Sequence, residues 1–349
     1  MNYRQEIDKL YSDKLNNLLD NVLPSYAKQF FIAHDENFSV KTKFAYAKDL
    51  KQFLEYIKSR NPIYKDKELK DIPISLFEEL TPMDIEEYLY DISYYEKGGK
   101  EYENQSASKQ RKLATLRSFY KYYHKNNLIN NNPAASAENP KVEEKDIIAM
   151  NSDEVRSFLD AVDTGEGLNG KQKAYHKKNR ERDLTIYTLL LGTGIRISEM
   201  VGLNVKDIDI EHKEFRVIRK GGKEELIHFG EDVAIRLEYY IDNVRKTYLN
   251  IENENDALFL SLRGSRLSVR QIEEMTVRYA ELSVPAKHIT PHKMRSTFGS
   301  FIYNETGDAG LVASMLGHSS VDITMKRYAK LDSKRKKEAA DLASALWEE

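Results

Sequence analysis

Thr290-Pro291-His292-Lys293-Met294-Arg295, then Leu316-Gly317-His318-Ser319-Ser320, then Tyr328 in a basic run, all within the last sixty residues, set how the whole chain is read. Thr290 supplies a capping side chain and Pro291 a first-turn proline, so a helix is expected to start here. His292 and Arg295 lie three apart on one face of that helix, and helix N-termini attract anions. His318 is expected at a helix end, before a turn. Tyr328 stands between Arg327 and Lys330, cations that favour its phenolate. An arginine-bearing pocket closing on one tyrosine suits an enzyme that moves a phosphate onto a phenol oxygen.

Partners for that chemistry occur upstream. Arg196 sits in Gly194-Ile195-Arg196-Ile197-Ser198-Glu199, and Lys220 in Arg219-Lys220-Gly221-Gly222-Lys223. A phosphodiester passing to tyrosine carries extra charge on its non-bridging oxygens, and guanidinium forks match that geometry. Arg196 and Arg295 are the candidates, with Glu199 placed to hold the Arg196 guanidinium. Neutral His292 and His318 can donate to a phosphate oxygen or carry a proton near neutral pH. Lys220, at a hairpin tip, would protonate a departing 5′ oxygen, with Lys223 as the alternative donor. Each residue alone has a plainer reading: a surface arginine, a capping histidine, a solvated lysine, one tyrosine among 22. A zinc site at His292 and His318 lacks further ligands at the right spacing, and Gly192-Thr193-Gly194 lacks the full phosphate-loop pattern. Neither a metal nor a cofactor is expected.

Composition narrows the class. A chain of 349 residues is long enough for two domains, each with its own core. With no cysteine, disulfides and thiolate zinc sites are excluded, and a reducing compartment fits. Met1-Asn2-Tyr3-Arg4-Gln5-Glu6 lacks the apolar stretch of a secretion signal, and no long apolar run reads as a membrane span. A cytoplasmic protein without a membrane partner is expected. The net charge of −2 argues against nucleic acid until its distribution is considered. Asn104 to Ala137 holds no acid but carries Lys109, Arg111, Lys112, Arg117, Lys121 and Lys125. Further basic runs lie at Lys171 to Arg182 and around Tyr328. A single run is usually a solvated face; three of them beside the proposed site favour phosphate binding.

The pattern predicts mainly α structure with a small antiparallel β-sheet. Helices are expected over residues 3–22, 40–59 and 106–125, and from Thr81-Pro82-Met83-Asp84 onward. In the helix over 106–125, Leu113, Leu116, Tyr120 and Tyr123 form the apolar stripe. Asn151-Ser152-Asp153-Glu154 reads as the start of a second domain, and the polar stretch before it as a linker. Arg182 to Leu191 is expected to be helical, Gly221-Gly222 a two-residue hairpin, and 231–248, 267–283, 291–304, 308–316 and 320–331 further helices. The expected domains are an N-terminal extension at 1–37, a helical domain at 38–134, a linker at 135–149, and an α+β catalytic domain at 150–349.

In order, Arg196, Lys220, His292, Arg295, His318 and Tyr328 resemble the motif of the tyrosine recombinase (phage-integrase-type) family: Arg, Lys, His-x-x-Arg, His or Trp, and Tyr. The resemblance covers about residues 38–335. It includes a core-binding helix with Ser108-Lys109-Gln110-Arg111-Lys112-Leu113 and Leu116-Arg117-Ser118-Phe119, which implies DNA contacts at Lys109, Arg111, Lys112, Arg117 and Lys121. It implies a two-domain, C-shaped clamp on duplex DNA and a homotetramer on paired sites. Tyr328 would form a 3′-phosphotyrosyl link, and strands would exchange through a Holliday junction without ATP or metal. Arg196, Arg295 and His318 would stabilise the phosphate, Lys220 would protonate the leaving group, and His292 would take the tyrosine proton. The segment Leu342 to Trp347 would dock on a neighbouring protomer.

Within the family, Arg219-Lys220-Gly221-Gly222-Lys223, Lys178-Asn179-Arg180-Glu181-Arg182-Asp183 and Asp71-Ile72-Pro73 resemble the single-recombinase kind of the Xer branch. That branch resolves chromosome dimers at cell division, with a septal DNA translocase as a partner. The ten positions from His318 to Tyr328 depart from the Xer spacing and match mobile-element integrases. An integrase or excisionase of a conjugative transposon or prophage is therefore the alternative. A type IB topoisomerase-like enzyme and a non-catalytic DNA-binding protein are the remaining rivals.

Overall fold

The computed structural model describes residues 3–97, 100–103, 106–141, 147–219, 222–249, 256–318 and 320–328, with backbone only at 95–97, 100–103, 323 and 326–328. The chain divides into two compact units, Met1–Glu144 and Lys145–Glu349. Helices dominate both.

The first unit contains α1 (Tyr3–Asn21), α2 (Ser25–Ala33), α3 (Val40–Arg60), α4 (Leu76–Glu79), α5 (Pro82–Asp91), strands β1 (Tyr94–Lys97) and β2 (Lys100–Glu103), α6 (Ser106–Lys125) and α7 (Pro133–Ser136). Local chemistry sets the helix starts. The Ser39 hydroxyl caps α3 through the Thr42 amide, and Thr81 and Asp84 form a reciprocal capping box ahead of Pro82. The core is rich in aromatic rings. Phe30, Phe53, Phe77, Tyr88, Phe119, Tyr120 and Tyr123 are fully buried, and Leu15, Leu19 and Leu23 from the α1 region join the same cluster. Ring centroids of Phe77 and Phe119, and of Phe119 and Tyr123, are 4.7 Å apart, so α6 supplies the middle of this packing. The Tyr120 hydroxyl donates to the Phe77 carbonyl at 3.2 Å, which satisfies a polar tip in an apolar interior. The β1–β2 hairpin, paired Tyr94 to Glu103 through Lys97 to Lys100, was not anticipated from the sequence.

The second unit contains α8 (Ser152–Thr164), α9 (Gly170–Thr193), α10 (Ile197–Gly202), β3 (Ile208–Asp209), β4 (Glu214–Ile218), β5 (Glu224–His228), α11 (Glu231–Tyr239), α12 (Val269–Ser283), α13 (Pro291–Thr306), α14 (Ala309–Leu316) and α15 (Val321–Tyr328). Helix α9 is the central post, with α8, α11 and α13 packed against it. Leu184, Ile186, Tyr187, Leu189 and Leu190 are buried along its second half. The small sheet is antiparallel in the order β3-β4-β5, and Phe215 and Val217 turn inward from β4. The mainly helical fold with a small antiparallel sheet therefore matches the expectation.

Four expectations about local structure need correction. Helix α9 begins at Gly170, twelve residues before Arg182, because Asn169 and Gln172 form a capping box there. Arg182 leaves the exposed basic run: it is fully buried, donating to Asp183 at 2.6 Å and to the Leu260 carbonyl at 2.9 Å. The turn between β4 and β5 is wider than two residues, since Ile218 pairs with Glu224 and the Arg219 amide bonds the Lys223 carbonyl at 2.8 Å. In addition, the helix expected to reach residue 248 leaves α geometry at Tyr240, passing through a π turn to Val244 and a 3-10 turn from Arg245 to Tyr248. Among the described residues no helix is long and apolar enough to cross a membrane.

Candidate active site

The site gathers around the C-terminal end of α14. Asp308 caps the start of this helix, and Gly317 ends it with φ +57°, a left-handed conformation that glycine adopts without strain. The His318 amide then bonds back to the Ala313 carbonyl at 2.9 Å, closing the turn that carries the His318 ring. The last carbonyls of a helix have no partner within it and sit at its negative end. Here arginines supply the donors.

Arg295 comes from α13, whose start has Thr290 as cap and Pro291 in the first turn, as the sequence predicts. Its side chain is buried, with 5% of the residue exposed; Nη1 donates to the Gly194 carbonyl at 2.6 Å and Nη2 to the Leu316 carbonyl. Gly194 terminates α9 at φ +61°, and a Cβ there would come within 2.5 Å of Phe298 and 2.9 Å of Leu316. Only glycine lets this turn pass so close to α13 and α14. Two residues on, Arg196 stands at the start of α10. Its Nη1 donates to Glu199 Oε1 at 2.8 Å, while its backbone amide meets the other carboxylate oxygen at 3.1 Å. Glu199 is well buried and Arg196 half-exposed, so the carboxylate fixes a guanidinium that still reaches the surface. Arg196 Nη2 donates to the Gly317 carbonyl at 3.0 Å.

His318 Nδ1 pairs with the Thr324 hydroxyl at 2.7 Å, and Thr324 is fully buried in α15. That contact ties the histidine ring to the helix ending at Tyr328, one turn beyond Thr324. His292 lies exposed in the first turn of α13, three residues before Arg295. The structure thus brings Arg196, Glu199, Arg295 and His318 around one helix end. Lys220 and the side chain of Tyr328 lie outside the described residues, as do Lys326, Arg327 and the chain from 329 onward.

Sequence reasoning missed Arg219, Gly317 and Thr324 as parts of this arrangement. Arg219 stands beside Lys220 in the sequence, and no local signal shows that it is buried against the same helix end.

The five candidate DNA contacts on α6 divide by environment. Lys112 is 6% exposed, with its ammonium 3.3 Å from Asp49 and 2.8 Å from Gln52, so it belongs to the α3–α6 interface. This corrects the expectation that Lys112 faces DNA: a buried ammonium needs its counter-charge. Asp49 also receives Arg111 and the Thr115 hydroxyl. Arg117 donates to the Ala134 and Ala137 carbonyls and to Asn139, holding the end of the unit. Lys109 bonds the Ser93 hydroxyl at 3.0 Å, and Lys121 is exposed.

Residues 149–335 match the phage integrase family. The chain belongs to that family and is a tyrosine recombinase, an enzyme of site-specific DNA recombination. Among its relatives, the tyrosine recombinase XerS of Streptococcus equi subsp. zooepidemicus (strain H70) is 30% identical, covering 92% of this chain and 96% of its own. The XerS of Lactococcus lactis subsp. cremoris (strain MG1363) is 27% identical over 93% of this chain and 96% of its own. The fold is similar to that of the XerH site-specific recombinase bound to palindromic difH substrate. That structure has TM-score 0.63 and 22% identity, covering 90% of this chain and 82% of that one.

Proposed function

We propose that this recombinase cuts and rejoins duplex DNA through Tyr328, in the Xer manner, to resolve chromosome dimers at cell division. The observation that carries the reading is the convergence of Arg196, Arg295 and the His318 turn on one helix end, with α15 leading from that turn to Tyr328. An arriving scissile phosphate would replace neutral carbonyl oxygens as the acceptor for the two guanidiniums, gaining charge-assisted bonds. The Tyr328 phenol oxygen attacks phosphorus as the bond to the 5′ oxygen breaks. His292 accepts the phenol proton, Lys220 gives a proton to the 5′ oxygen, and Arg196, Arg295 and His318 stabilise the non-bridging charge. The phosphotyrosyl bond conserves the energy of the broken one, so rejoining by a partner's 5′ hydroxyl consumes no ATP and calls for no metal.

The 38–134 domain would grip the DNA backbone, through Lys121 foremost, and the 150–349 domain would carry the chemistry. Four copies on two sites would exchange strands through a Holliday junction, with the Leu342 to Trp347 segment seated on a neighbour. A cytoplasmic location and a septal DNA translocase as activator belong to this reading. The extent of the likeness to XerS proteins supports it. One observation favours a second reading, integration of a mobile element: the ten positions from His318 to Tyr328.

Tyr328→Phe tests the nucleophile. The variant should bind duplex DNA like the unchanged enzyme yet form no covalent complex with a nicked suicide substrate, read on a denaturing gel. Covalent trapping by the phenylalanine variant sinks the assignment.

A further inference from the structure

We infer that Arg219 is a positioning residue for the cleavage step, anchoring the root of the β4–β5 hairpin on the helix end that Arg196 and Arg295 share and so fixing where Lys220 delivers its proton. The inference rests on the recombinase reading above, with Lys220 as the leaving-group acid.

Arg219 follows β4 directly and is 7% exposed. Its Nε lies 3.0 Å from Glu225 Oε2 on the opposing strand, so the ion pair closes the hairpin across its base. Its Nη2 reaches the Met315 carbonyl at 3.4 Å, a long contact, in the last turn of α14. The guanidinium also lies against Gly317, in the space that a side chain at that position would take. Three consecutive carbonyls at this helix end, those of Met315, Leu316 and Gly317, therefore face three arginines: Arg219, Arg295 and Arg196. Two of the three come from the proposed catalytic set. The third reaches the same place from the hairpin, one residue before Lys220. A lysine carries a flexible four-carbon stem, and a general acid must lie within hydrogen-bond reach of the atom it protonates. Arg219 precedes that lysine in the chain, so its hold on Glu225 and on the helix end is the means by which it would act on the protonation step.

The probe is a nicked suicide duplex built on the site that the unchanged enzyme selects from a randomised duplex pool. It is made with either a 5′ oxygen or a 5′ sulfur at the scissile bond, because a thiolate leaves without a proton. Arg219→Ala should bind this DNA within a few-fold of the unchanged enzyme and cleave the oxygen substrate about 100-fold more slowly, the range of a lost general acid. The sulfur substrate should restore its rate to within several-fold, the same pattern as Lys220→Ala. Arg219→Lys keeps a cation for Glu225 without the fork, and should recover only part of the oxygen rate. Glu225→Gln, which removes the counter-charge and keeps the volume, should show the same selective loss more mildly and carries the test if Arg219→Ala does not fold. Full-rate cleavage by Arg219→Ala overturns the inference, as does equal slowing on both substrates with DNA binding intact, whether in that variant or in Glu225→Gln. Rescue by sulfur of Lys220→Ala but of neither Arg219→Ala nor Glu225→Gln sinks this inference alone. Failure to rescue Lys220→Ala, or no covalent complex from the unchanged enzyme, sinks the recombinase reading with it.

Discussion

At the scale of single residues, Gly317 shows how backbone and chemistry constrain one another. Its φ of +57° costs an L-residue roughly 1–2 kcal/mol relative to right-handed geometry. A side chain there would also enter the volume of the Arg219 guanidinium. Gly317→Ala should therefore do two separable things. Urea unfolding should show a loss of about 1 kcal/mol, the backbone part. Single-turnover cleavage should fall by more than ten-fold, an amount exceeding about 1.4 kcal/mol, because Arg219 must leave its seat. A variant that loses stability but cleaves at the parental rate refutes the second half. Nothing in the word Leu316-Gly317-His318 reveals this, since the guanidinium that needs the space lies 98 positions earlier.

At the scale of elements, what the sequence reveals depends on how local the cause is. The helix starts at Thr81, Asn151 and Thr290 were legible because cap and amide are three residues apart. The first half of α9 was not. His176, Asn179 and Arg182 form a buried polar face there, so the apolar period that announces a helix is missing. The wide hairpin turn is not legible either, because the ladder closes at Arg219 and Lys223, one residue short of the register that a two-residue Gly-Gly turn requires. The start of α8 also carries a pH dependence. Burial pushes the Glu154 carboxyl up, but Lys287 at 2.6 Å and the Asn151 amide more than offset it and hold the group below the ordinary carboxylate range. A depressed carboxyl contributes stability that is complete above the unfolded value, about 4.3, and is lost as pH falls through the lower folded one. The melting temperature of Glu154→Gln should thus lie below that of the parent at pH 7, with the gap closing on acidification. A gap that is constant with pH contradicts the pairing.

At the scale of the whole molecule, composition said little and distribution said more. A net charge of −2 hides a helix whose basic residues have different duties: Lys121 is exposed, whereas Lys112 is consumed by Asp49. Only an exposed cation can displace counterions from DNA. Lys121→Ala should flatten the log–log dependence of DNA affinity on salt by about one unit, the share of a single phosphate contact. Lys112→Met should leave that slope unchanged; a change in slope for Lys112 rather than Lys121 would reverse the assignment. The order of the six site residues along the chain is readable, but the anchor shared by Arg196 and Arg295 is not, because its carbonyls belong to no side-chain motif. That anchor has a mechanical consequence. Helix α14 is short, with Leu311 and Met315 on its open side. Three guanidiniums hold one end of it, so a push that slides this rod along its axis displaces all three at once. Until a phosphate takes over two of those guanidiniums, any contact made on α14 is felt by all three arginines together.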